Sequence, residues 1–381
     1  MIIPPIHSTL PAGHGALRMT TIDSPTRADK NDRSAGQQIS FPVLRFSYPL
    51  KLIVSRTYRN DLYNLQVGLV YLLNYGGGLL SGDQLSLEIE LDENCQLLCL
   101  SQGSTKVFKE RERQAKGSSA VPNRNSLYPS SQATIMPTGE AEVSRQNIIA
   151  KIGPHATLLM LPSHVTCFRD SSFVQKQIYH LQDHTSSLIC LDWFTSGRSF
   201  STRLPDQSSQ LESWTFKKFQ SFIEVYVSSK RIVRENLVLQ RDHHHLAQTE
   251  FSLYANLYLV CSSENLKMVK TFDRLKALEE SSIKTRRQSS GKMTSEQQAD
   301  QSQLLWCFSE LSHRPDFNTS PSTQDQPAHN QHLHARFPAP SVRIAVVRIG
   351  SHSTILVRAW LEKNLADLQE LIGTEFYRNC F

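Results

Sequence analysis

The sequence predicts a mainly β protein, and three observations carry that reading. Leu85-Ser86-Leu87-Glu88-Ile89-Glu90-Leu91 alternates apolar and polar residues without a break, the period of a strand with one buried face. Short apolar runs bounded by Gly, Pro, Asn and Ser then recur along the chain. Helical spacing is confined to two stretches, which leaves a single β core as the economical arrangement.

Taken in order, residues 1–40 are rich in Pro, Ser, Thr, Gln and charge, and read as a disordered tail. One β domain is expected over 41–381. Strands are expected at 67–73, 85–91 and 96–100, with the glycines of 76–82 as the break between the first two. Further strands follow at 143–152, 157–161, 173–181 and 187–191, then at 214–227, 231–239 and 251–260. Polar stretches at about 110–140, 200–211 and 279–340 read as loop or disordered inserts. Met268, Val269, Phe272, Leu275 and Leu278 recur at helical spacing. Leu361, Leu365, Leu368, Leu371 and Ile372 do the same within a C-terminal helix expected over about 354–372, with Gly373 as its stop.

Composition excludes more than it assigns. Lys and Arg exceed Asp and Glu by 41 − 35 = 6, a mild excess rather than the dense basic footprint of a nucleic-acid binder. No run approaches the ~18 apolar residues of a membrane span, and the N-terminus has neither the charged region nor the apolar run of a secretory signal. Seven cysteines without a CxxC pair point to a reduced, cytoplasmic protein.

Motifs of known chemistry were weighed against blander readings. GGGLLSGD (76–83) lacks the Lys and Ser/Thr that a phosphate loop needs after its last glycine, so a strand-to-strand turn is the better reading. Gln102-Gly103-Ser104-Thr105-Lys106 is read as a turn for a similar reason. Cys95 and Cys99, four apart on a strand, would stand about 13 Å apart, too far for one zinc ion, and read as core thiols. His243, His244 and His245 would alternate in direction on an extended chain and seldom converge on one ion. His329, His332 and His334 fall in a polar insert and read as incidental. There is no GxSxG elbow and no HExxH. The remaining carboxylates of interest are Asp83, Asp170, Asp192 and Glu212, each of which is commonly a turn or ion-pair residue.

Several blocks, in order, resemble the urease accessory protein family UreD, called UreH in some bacteria, and most of all its fungal members. They are YLLNYGGGLLSGD (71–83), LLCLSQGSTKVFK (97–109), LLMLPSHVTCFRDSSFVQKQIYHL (158–181), LICLDWFTSGR (188–198), ESWTFKKFQSFIEVYV (212–227) and RIVRENLVL (231–239). VRIAVVRIG with VRAWLEKNL (342–365) resembles the family's last strand and terminal helix. Leu211 stands where the family's GExW segment has Gly, and His164 where its LPxPVT segment has Pro or a polar residue.

The resemblance implies a helically wound stack of β-strands with about two α-helices, and no enzymatic activity. It implies binding to apo-urease and to a UreF-type accessory protein, which recruits a UreG-type GTPase. It also implies transient handling of Ni(II), with a water-filled tunnel as the metal's path. Asp83 matches the family's GD carboxylate and Glu212 the Glu of GExW; these two, with Asp170 third, are the expected conduit ligands. Isolated oxygen donors suit a conduit because they hold Ni(II) without trapping it. Lys106 and Arg198 are expected to serve the fold or an interface. Two other readings remain open at this point: a hydrolase or transferase with an unrecognised triad, and a basic nucleic-acid-binding module.

Overall fold

The structure, a computed structural model, describes residues 10–23, 37–55, 58–60, 65–111, 143–197, 213–241, 250–288, 304–311 and 341–381. The chain opens with β1 (His14–Asp23), β2 (Gln37–Phe46), β3 (Leu50–Val54), β4 (Tyr58–Asn60) and β5 (Leu65–Asn74). Past the glycine turn come β6 (Gly78–Leu79), β7 (Gln84–Leu91), β8 (Gln96–Ser101) and β9 (Thr105–Val107). Next are β10 (Ser144–Ile152), β11 (Thr157–Met160), β12 (Val165–Cys167), β13 (Ser172–Leu181) and β14 (Ser187–Thr195). β15 (Lys218–Val227), β16 (Lys230–Gln240) and β17 (Leu253–Ser262) lead into α1 (Leu266–Gln288). β18 (Leu304–Leu311) and β19 (Val342–Ser351) precede α2 (Thr354–Asn364), α3 (Gln369–Ile372) and α4 (Thr374–Arg378).

The strands form a seven-stranded sheet, ordered β16-β15-β13-β10-β7-β1-β2, and a twelve-stranded sheet with the main path β18-β19-β17-β14-β11-β8-β5-β3. From β5 to β15 the long strands alternate between the two sheets. Each turn of the chain adds one parallel strand to each: β7, β10, β13 and β15 to one, β5, β8, β11 and β14 to the other. This is the expected mainly β, helically wound stack. Its parallel registers matter for function, because Leu85 pairs with Gln146, Gln146 with Gln175 and Gln175 with Ser221. Side chains on one rung therefore line up across the sheet.

Two apolar cores result. Between the sheets lie Leu87, Ile89, Ile148, Tyr179, Leu158, Cys190 and Phe219, all buried. On the outer face of the twelve-stranded sheet, Leu98, Leu159, Ile189, Leu191, Leu257 and Val347 pack under the helices. α1 contributes Met268, Phe272 and Leu275, and α2 contributes Val357 and Leu361, at the three- and four-residue spacing of one helix face. Asn265 Oδ1 accepts the Met268 amide at the start of α1, and the Ser353 hydroxyl accepts the Leu356 amide at the start of α2.

The expected turn at 76–82 is present: Gly76, Gly77 and Gly82 all have positive φ. Gly78 is constrained by space instead, since a Cβ there would lie 2.3 Å from the Lys106 carbonyl oxygen. Cys95 and Cys99 are fully buried, as expected of core thiols.

Two expectations are corrected. The stretch 1–40 is not wholly a disordered tail, because β1 pairs in parallel with β7 and antiparallel with β2, which itself starts at Gln37. Gly15, Leu17 and Met19 point inward and Arg18 outward, an alternation too short to stand out among polar neighbours. The stretch 279–340 is not wholly an insert either: α1 runs on to Gln288, and β18 pairs with β19. The rest of that stretch, residues 200–211 and nearly all of 110–140 lie outside the described residues. The C-terminal helix expected over 354–372 is broken after Asn364 into a short 3-10 turn and α3.

Candidate cation passage

β14 reads Ser-Leu-Ile-Cys-Leu-Asp-Trp-Phe-Thr, and every one of its residues is buried. Ile189, Leu191 and Trp193 face the helices, while Leu188, Cys190, Asp192 and Phe194 face the other sheet. Asp192 thus places a carboxylate between the sheets. Its Oδ1 accepts a hydrogen bond from Gln175 Nε2 at 2.9 Å, and its Oδ2 one from the Ser221 hydroxyl at 2.6 Å. Burial pushes the Asp192 pKa up, the negative Glu235 adds to the rise, and the bonds from Ser221 and Gln175 oppose it.

The groups around Asp192 form a seam. Gln146, Gln175 and Ser221 share one rung of the seven-stranded sheet, and Gln177 occupies the next with Ile148. A cavity of about 30 Å³ between the sheets is lined by Asp192, Gln175, Gln177, Gln146, Thr105 and Ser163, among others. A second, of about 40 Å³, shares Gln146 and Thr105 with it and continues toward Ser101 and Asn74. Each has room for water, which needs roughly 10–15 Å³ and several polar partners. On the other side, Asp192 pairs along the ladder with Asn256, and Asn256 with Arg348. There the Tyr258 hydroxyl donates to Glu235 Oε2 at 2.9 Å. Burial, Asp192 and Glu235 all raise the Tyr258 pKa, so its phenol stays protonated and a donor.

The donor set along this seam is oxygen from amides, hydroxyls and carboxylates. Among the described residues, no three or more His, Cys, Asp or Glu side chains are grouped to hold a metal ion. Sulfur lies one rung away, where Cys99, Met160 and Cys190 are ladder neighbours. Burial pushes both thiols up to about 12, so at neutral pH they remain thiols and poor metal ligands. The seam therefore offers hard oxygen donors one or two at a time rather than a closed cage.

Of the expected site residues, Asp83 and Asp170 lie outside the seam. Asp83 is half-buried and closes the glycine turn: its Oδ2 accepts the Leu80 amide at 2.8 Å, and its own amide donates to the Leu80 carbonyl. Asp170, with φ +59°, pairs with Arg241 at 2.6 Å near the surface. Both precede inward-running strands at the same end of the seven-stranded sheet. β7 and β13 are two ladder steps apart there, roughly 10 Å. Neither carboxylate lines either cavity. Glu212, Arg198 and His243–His245 lie outside the described residues. Lys106 is exposed on β9. His164 stands edge-on to Trp193 at 5.1 Å, and burial with Arg358 nearby lowers its pKa to about 4. Glu235 was not singled out from sequence, and its position opposite Ile223 in the β15–β16 ladder is what turns it inward.

A family model described as "UreD urease accessory protein" matches residues 32–379. "Urease accessory protein 4" of Cryptococcus neoformans var. grubii is 35% identical over 199 residues, 52% of this chain and 55% of that protein. A protein of Schizosaccharomyces pombe described as "Uncharacterized urease accessory protein ureD-like" is 30% identical over 225 residues, 56% and 63% of the two chains. The matched stretches thus span between half and two thirds of these two fungal relatives. "Urease accessory protein D" of Arabidopsis thaliana is 27% identical over 338 residues, 87% and 92% of the two chains. The family is an accessory rather than a catalytic one, and with its model matched over nearly the whole length, the chain belongs to the UreD urease accessory protein family.

Proposed function

We propose that this protein serves urease maturation by binding apo-urease together with UreF-type and UreG-type accessory proteins and conducting Ni(II) toward the urease active site. The observation that carries the reading is the polar seam itself. A mostly apolar core keeps Gln146, Gln175, Ser221 and Asp192 on facing rungs beside water-sized cavities. Buried polar groups are costly unless they are satisfied, and a carboxylate that pairs with no cationic side chain among the described residues suits a passing cation. Hydrated Ni(II) would exchange waters for these oxygens in succession. At Asp192 the metal competes with a proton, because burial favours the neutral acid. Asp83, Asp170 and Glu212 are the oxygen donors proposed for the metal's approach. The seven free cysteines accord with action in the reducing cytoplasm, and no helix among the described residues is long and apolar enough to cross a membrane.

The test is complementation. Cells lacking this gene should hold abundant urease that is inactive and poor in nickel, restored by the wild-type chain and not by Asp192→Asn. Restoration by Asp192→Asn at the wild-type level would remove Asp192 from the path. Fully active urease in the deletion strain would remove the maturation role.

A further inference from the structure

On the side of Asp192 away from Asn74 and Ser101, and beyond the residues that line the two cavities, the inward polar groups continue through Asn256 and Tyr258 to Glu235 and Arg348. Glu235 lies on β16, the edge strand of the seven-stranded sheet. Its Oε2 accepts the Tyr258 hydroxyl at 2.9 Å and Arg348 Nη2 at 3.2 Å, and Arg348 Nη2 also reaches Oε1 at 3.3 Å. Tyr258 and Arg348 belong to the twelve-stranded sheet, so the contact bridges the two sheets. Arg348 is a ladder neighbour of Asn256, which is a ladder neighbour of Asp192. The Arg348 side chain is 48% exposed and that of Glu235 27%, so solvent reaches the pair.

A guanidinium in this place has two electrostatic consequences. It neutralises Glu235, which otherwise faces the like charge of Asp192. It also repels any divalent cation arriving at Glu235 from either side. An ion pair this exposed adds little to stability and opens readily. Resting on the reading of the seam as a cation passage, we infer that Glu235 and Arg348 form a displaceable plug. In the metal-free chain Arg348 occupies the position on Glu235 that a divalent cation takes at that end, and transit requires the guanidinium to swing into solvent.

The inference is tested on the full chain without an affinity tag, by equilibrium dialysis against Ni(II) alone. Arg348→Met keeps the aliphatic stem and removes the charge; it should bind Ni(II) roughly tenfold more tightly than wild type. The gain should vanish in Arg348→Met combined with Glu235→Gln, which separates this site from surface histidines. An unchanged affinity in Arg348→Met, or a gain that survives Glu235→Gln, would overturn the plug. If Arg348→Met does not fold, Arg348→Gln carries the same comparison. The two readings fail separately. Loss of nickel delivery in Asp192→Asn beside unchanged binding in Arg348→Met leaves the passage and removes the plug. Normal delivery in Asp192→Asn beside tighter binding in Arg348→Met that Glu235→Gln abolishes removes Asp192 from the path and leaves Glu235 as a cation position covered by Arg348.

Discussion

The two faces of the twelve-stranded sheet, both buried along β14, are built on different terms. The face under the helices is mostly hydrocarbon, with Leu98, Leu159, Ile189, Leu257 and Val347 against Met268, Phe272, Val357 and Leu361. A polar rung of Gln96, Thr157 and Ser187 lies on it at the start of α1, where Asn265 donates to Thr157. The face toward the other sheet interrupts its hydrocarbon with Asp192, Asn256 and Tyr258, opposite Gln146, Gln175 and Ser221. Strand β14 belongs to both, turning Leu191 and Trp193 one way and Asp192 the other. The difference separates two jobs. A mostly dry face gives stability and holds the strands in register, while the rung of Asp192 lies beside cavities with room for water. Neighbouring residues of one strand can therefore differ completely in what their loss would do.

The comparison breaks most visibly on the dry side. Phe272 is fully buried, packs edge-on against Phe308, and carries the Arg343 guanidinium 4.0 Å from its ring centroid. Phe272→Ala should lower unfolding free energy by about 3–5 kcal/mol, read by urea denaturation, with the seam untouched. A loss under about 1 kcal/mol, the scale of a single exposed contact, would show that the helical layer is loosely held.

On the wet side the expected effect is smaller and depends on pH. The folded-state pKa of Asp192 is raised above its ordinary value of 3.8. Above that value the folded chain binds more protons than the unfolded one. The stabilisation this provides is complete below the unfolded pKa and is lost as pH rises through the folded one. Asp192→Asn removes the titration, so wild type should lose stability relative to the variant as pH climbs from 4. Parallel stability profiles would mean that Asp192 is solvated as in water.

The smallest effect belongs to Asp83, outside both cores. Asp83→Ala removes the acceptor of the Leu80 amide, an exposed bond worth at most about 1 kcal/mol. Its unfolding midpoint should shift slightly. A loss as large as that of Phe272→Ala would make the glycine turn a structural keystone.

What could be read from sequence follows the same division. The alternation of residues 85–91 needs one wet and one dry face, which β7 has, and it was legible as a strand. The helical spacing from Met268 to Leu275 was legible because α1 buries a single stripe. β14 shows no alternation because both of its faces are buried, so Asp192 stood among four carboxylates of equal weight. The family pattern drew attention to Asp83, whose side chain caps a turn. The seam depends on register between strands about thirty residues apart, as with Gln146 and Gln175. Winding the chain into coils sets that register, and no local pattern carries it. β1 escaped notice for a simpler reason: three inward residues are too few to rise above a polar background.

The central claim is that the space between the sheets is a route for Ni(II). Gln146 lines both cavities, so Gln146→Phe plugs them at a strain of about 1–3 kcal/mol. Urease should be matured with this variant, after its unfolding midpoint and its co-purification with urease have been checked, and the nickel in the purified urease counted. The account predicts an assembled complex that yields nickel-poor urease. Urease filled with nickel as by the wild-type chain would contradict it.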